Sequence, residues 1–130
     1  MYGGPDRRLD PRADVELVLE VLPASPSERS IRLLTRNVSS SGALCAAPVP
    51  LPPNSLLRCR LFLEGEDEEG IATDVIVLRV DQRPRAGGYM AALYFVEMRP
   101  EDRDRIRRFV FERLGEARRR PEPVAAAGKP

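Results

Sequence analysis

The residues best equipped for chemistry lie in two short runs. Arg7, Arg8 and Arg12 fall within RRLDPR, and Asn37, Ser39 and Gly42 fall within NVSSSG. A guanidinium presents a planar fork of donors that fits two phosphate oxygens and equally the O6/N7 edge of guanine. Asn supplies both a donor and an acceptor, Ser adds a hydroxyl, and Gly permits a positive φ and a close approach of ligand to backbone. Brought together, such groups can grip an anionic guanine compound. Either run alone says little, because arginines near a chain start are commonly solvated, and Asn and Ser in a turn commonly bond their own backbone.

What is missing narrows the chemistry further. The 130 residues include no His, and the single lysine is Lys129 in the last three positions. The commonest general base and metal ligand is therefore absent, and no catalytic residue or metal site is expected. The formal charge of +1 argues against a nucleic-acid coat or a polybasic membrane anchor. Cys45 and Cys59 form neither a CxxC pair nor a ligand cluster. They read as small buried hydrophobes in a reducing compartment, with a disulfide between them left open. The longest uncharged stretch contains Pro48, Pro50, Pro52 and Pro53, so it cannot form a spanning helix. The expected location is the cytoplasm, without membrane insertion.

The two runs must be positioned by elements that the hydropathy pattern makes visible. Residues 1–13 read as a flexible, arginine-rich arm, polar and rich in Gly and Pro. Alternation of Val15, Leu17, Leu19 and Val21 with Glu16 and Glu20 predicts a strand over 14–22. A second strand is expected over 31–36, then a turn at NVSSSG and a short apolar run, GALCAA. Leu57, Cys59, Leu61 and Leu63 alternate with Arg58 and Arg60, and further strands are expected over 71–80 and 89–96. The acidic run 64–69 reads as a solvated hairpin tip, lying away from any site for an anion. From Pro100 the period becomes helical. Ile106, Phe109, Val110 and Leu114 form an apolar stripe, Glu101 and Asp102 suit the helix start, and Gly115 is placed to weaken or end it. Phe111 is out of phase with that stripe and available for docking, and the helix arginines read as a solvated face. Residues 117–130 read as a disordered tail. Six short strands followed by one amphipathic helix predict a mainly β protein: a six-stranded antiparallel β-barrel with a C-terminal α-helix, occupying residues 14–116.

The order RRxxxR, strand, strand ending in NxSxxG, further strands and closing helix resembles the PilZ domain family, over roughly residues 7–114. GYMAALYFVEM resembles the family's late strand and PEDRDRIRRFVFERL its closing helix; Ala92 departs from the family, which often has Gly there, a matter of strand packing. The resemblance implies a barrel of PilZ type that binds cyclic di-GMP and performs no catalysis. Arg8 and Arg12 would be the pair that engages phosphates and guanine edges, with Asn37, Ser39 and Gly42 as the opposite wall. Arg7 sits where the choice between one ligand and a stacked pair is influenced, and an arginine there favours the pair. No cofactor is implied.

The resulting expectation is a receptor of bacterial second-messenger signalling that passes cyclic di-GMP level to an unidentified downstream protein through ordering of its arm, in motility or biofilm regulation; a homodimer is left open. One alternative is a PilZ-fold interaction adaptor that does not bind the nucleotide. Another is a small-barrel nucleic-acid binder, disfavoured by an aromatic content of 5% and the balanced charge.

Overall fold

A computed structural model describes residues 10–64 and 69–119, the last two by backbone alone. Among the described residues seven strands precede one helix: β1 (Ala13–Asp14), β2 (Val18–Val21), β3 (Ile31–Val38), β4 (Gly42–Ala47), β5 (Leu56–Phe62), β6 (Ile71–Gln82), β7 (Tyr89–Glu97) and α1 (Pro100–Arg119). All pairings are antiparallel. Six strands run in the order β3-β2-β5-β6-β7-β4, and β4 pairs back with β3 to close the barrel, so that no edge of these six is left open. The seventh strand, β1, extends the pairing of β3 beyond the end of β2, with Ala13 opposite Val38 and Asp14 opposite Asn37.

The expected strand over 14–22 is thus split in two, and Thr35 accounts for the split. Its hydroxyl donates to the Val15 carbonyl at 2.6 Å and accepts from the Leu17 amide at 2.8 Å, while its own amide donates to the Leu17 carbonyl at 2.9 Å. One extra residue is accommodated between Asp14 and Val18, and the freed backbone groups are satisfied by a side chain that is itself fully buried.

A second irregularity matters more for the site. Leu33 and Thr35 point into the barrel, and strict alternation would send Asn37 inward after them. A bulge between Thr35 and Asn37 shifts the phase by one residue. Val38 therefore enters the core at 0% exposure and Asn37 turns to the outer face. Asn37 and Val38 belong to β3, so the true turn is shorter than NVSSSG: residues 39–41, with Gly42 opening β4.

The barrel interior is filled by inward residues of every strand, including Leu19, Leu33, Leu61, Ile71, Val75, Val77, Leu93 and Phe95. Cys45 and Cys59 lie in this core as free thiols; burial foremost pushes each up to about 12, with Cys59 adding to the effect on Cys45 and Asp74 to that on Cys59. They behave as the small hydrophobes their setting suggested. α1 buries Ile106 and Val110 against one barrel end and leaves Phe111 58% exposed, out of phase as the spacing indicated. It does not stop at Gly115. A helical glycine costs only about 1 kcal/mol relative to alanine, and the good helix formers around it carry the helix to Arg119. The expected tail lies, from residue 120 onward, outside the described residues, as does the centre of the acidic hairpin, 65–68. Among the described residues no helix is long and apolar enough to cross a membrane.

Candidate functional site

Antiparallel order gathers the start of β1, the 39–41 turn and the first turns of α1 at one end of the barrel. The turn is built from its own backbone first: the Ser39 amide donates to the Gly42 carbonyl at 2.9 Å, and the Ser41 carbonyl accepts from the Phe95 amide of β7 at 2.8 Å. The Ser39 side chain is fully buried, its hydroxyl 3.1 Å from that of Ser41 and accepting from the Ser41 amide at 3.2 Å.

Gly42 serves a different purpose from the one its residue type suggests. Its φ is not positive; among the described residues the positive-φ glycines are Gly70, Gly87 and Gly88. A Cβ on Gly42 would lie 2.3 Å from the Leu93 carbonyl oxygen. Glycine is needed there because β4 and β7 approach too closely for any side chain.

The arm meets this turn at two points. Arg12, exposed, donates from a guanidinium nitrogen to Oδ1 of Asn37 at 2.6 Å. Asp10, half-buried, accepts from the hydroxyls of both Ser40 and Ser41. Burial alone would raise the Asp10 pKa, but hydrogen bonds from the Ser40, Ser41 and Ser39 side chains and the Ser40 backbone outweigh it and hold the carboxyl below its ordinary value. On the other side of the turn, Arg103 of α1 donates to the Ser40 carbonyl at 2.8 Å. Ser40 therefore joins arm and helix through one residue, and at 3% exposure its groups need those partners.

On the outer face, Asn37, Leu44 and Ala92 are directly opposite one another across β3, β4 and β7, each half-buried. With Ala46 and Met90 in the neighbouring row they form a low apolar floor beside the Arg12–Asn37 contact. A floor of small side chains rimmed by guanidinium and amide donors can stack a planar heterocycle while reading its polar edge. Among the described residues no cluster of three or more His, Cys, Asp or Glu exists that could hold a metal.

Of the site residues expected from sequence, Arg12, Asn37, Ser39 and Gly42 are brought into one region, and Arg7 and Arg8 lie outside the described residues. Within that region Ser39 and Gly42 are occupied in shaping the turn, whereas Arg12 and Asn37 face outward. Sequence reasoning treated Asp10 as a spacer within RRxxxR, passed over Ser40 and Ser41, and left Arg103 on a solvated face. The usable signal was a carboxylate set between the arginines of the arm and three adjacent hydroxyls in the turn, each in need of the other.

Comparison with known proteins agrees with this architecture. The family model of the PilZ domain matches residues 6–112. No curated protein sequence matches the chain. The chain is similar in structure to the inhibitor of motility MotI/DgrA of Bacillus subtilis (TM-score 0.74, 25% identity, covering 87% of this chain and 54% of that one). It is also similar to YcgR of Escherichia coli in complex with c-di-GMP (TM-score 0.68, 14% identity, 86% and 48%) and to the K. pneumonia MrkH–c-di-GMP complex (TM-score 0.70, 19% identity, 85% and 53%). The chain thus spans about half the length of these three proteins. The isolated PilZ domain of YcgR with c-di-GMP is matched over 99% of its length, at a TM-score of 0.66 and 14% identity.

Proposed function

The chain belongs to the PilZ domain family, and from that premise we propose that it is a non-enzymatic receptor for cyclic di-GMP. The observation that carries this reading is the 2.6 Å contact between Arg12 and Asn37, which puts the last arginine of RRxxxR against the first residue of NxSxxG. Solved relatives described as complexes with c-di-GMP support the choice of ligand.

In this reading Arg8 and Arg12 engage the phosphates and the guanine edges, Asn37 reads a guanine from the opposite side, and Ser39 and Gly42 hold the turn in the shape that presents it. Leu44 and Ala92 provide the floor. Arg7 stacks on a guanine and favours a ligand pair. A charge-assisted hydrogen bond contributes about 1.5–3 kcal/mol, so the loss of one weakens binding about ten- to a hundredfold. The nucleotide leaves unchanged, because no histidine is present and nothing at the floor activates water. The protein acts in the cytoplasm, and its output passes to a second protein as the arm exchanges its contact with Asn37 for contacts with ligand.

Isothermal titration of the purified chain with cyclic di-GMP tests the reading. The expected result is saturable heat with a stoichiometry of two nucleotides per chain. Absence of heat at high nucleotide concentration contradicts it, and a stoichiometry of one removes the role given to Arg7.

A further inference from the structure

We propose that Asp10 is the positioning residue of the arm: its carboxylate, received by the Ser40 and Ser41 hydroxyls, seats the chain so that Arg12 stands against Asn37. The seating itself is independent of any ligand; its consequence for affinity rests on the receptor reading above.

Three links hold the described part of the arm. One is β1, only two residues long. One is the single exposed bond from Arg12 to Asn37. The third is Asp10, whose carboxylate receives two hydroxyls at once at a partly enclosed position ahead of the buried Ala13. Pro11 follows it directly, which restricts Asp10 to extended backbone and presets the direction in which Arg12 leaves.

The receiving side is firm. Ser40 is nearly buried, its carbonyl is held by Arg103 from α1, and Ser41 is tied by its carbonyl to the amide of Phe95. A carboxylate bound to a rigid turn fixes its neighbours; removal of that carboxylate leaves the Ser40 hydroxyl without its acceptor and returns the arm to many conformations. Ligand must then supply the ordering that Asp10 supplies now, and affinity falls accordingly.

The test uses the full chain with Asp10→Ala, Asp10→Asn and the double change Ser40→Ala/Ser41→Ala. Amide hydrogen exchange at residues 12–14 is read without nucleotide, and affinity is read by titration with cyclic di-GMP. Asp10→Ala should speed exchange about tenfold and raise Kd about tenfold, while amides of β6 and β7 keep their protection. Asp10→Asn, which retains an acceptor oxygen, should recover part of both. Asp10→Ala added to the serine double change should do nothing more. Unchanged exchange in Asp10→Ala overturns the proposal, and so does faster exchange with unchanged Kd. If the parent chain binds no nucleotide the receptor reading fails, and the exchange data alone decide whether Asp10 seats the arm.

Discussion

Two turns of this barrel perform the same topological task by different means. The β6–β7 connection reverses the chain with backbone alone: Gly87 and Gly88 adopt φ of 82° and 73°, the Arg83 amide donates to the Gly88 carbonyl at 3.0 Å, and its tip residues are exposed. The β3–β4 connection has no positive-φ residue, buries Ser39 and Ser40, and draws in side chains from the arm and the helix. A turn that only reverses direction needs conformational freedom. One that buries hydroxyls needs partners for them, and those partners tie it to the rest of the molecule. That difference sets the β3–β4 turn apart from the β6–β7 turn, independently of any motif.

The comparison is broken most severely at glycine. Gly42→Ala should destabilise the fold by about 2–3 kcal/mol, because the new Cβ meets the Leu93 carbonyl at 2.3 Å and the strands must part. Gly87→Ala meets nothing within 4 Å and should lose only about 1 kcal/mol through its positive φ. Thermal denaturation of the two variants checks the ranking, which runs opposite to the one expected if positive φ were the deciding feature. Next in size is affinity. Arg12→Ala should weaken cyclic di-GMP binding about ten- to a hundredfold by calorimetry, whereas Arg85→Ala, on the other turn, should leave it unchanged.

Much of this was legible in the residues. The alternation from Leu57 to Leu63 and the helical stripe of Ile106, Val110 and Leu114 follow from local pattern alone, and six barrel strands with a closing helix follow from their order. The two motifs named Arg12 and Asn37, which do meet. The bulge at the end of β3 was not anticipated, although it leaves a trace: alternation through Leu33 and Thr35 assigns Asn37 to the core and Val38 to solvent, a phase error that one extra residue repairs. The reason for Gly42 was hidden because it depends on β7, fifty residues later, and the tie between Arg103 and Ser40 was hidden because it depends on where the helix lands. Pattern reads the elements; contacts between distant elements must be seen.

The smallest expected effect sharpens the contrast through pH. A carboxyl held below its ordinary value in the folded chain contributes stability that is complete above the unfolded value of 3.8 and is lost as pH falls through the folded one. Asp10→Asn removes that contribution, so the melting temperatures of parent and variant should converge as the solution is acidified from neutrality through that range. Only the difference between the two proteins is read, so that whatever they share cancels.

The central claim is that arm and β3–β4 turn enclose the ligand together. A titration of the 15N-labelled chain with cyclic di-GMP, followed residue by residue, addresses it most directly. Amide shifts should concentrate at residues 10–14, 37–42, 44 and 92, with 83–88 unmoved. Shifts centred on the β6–β7 turn, or none in the arm while the nucleotide is bound, would contradict the account.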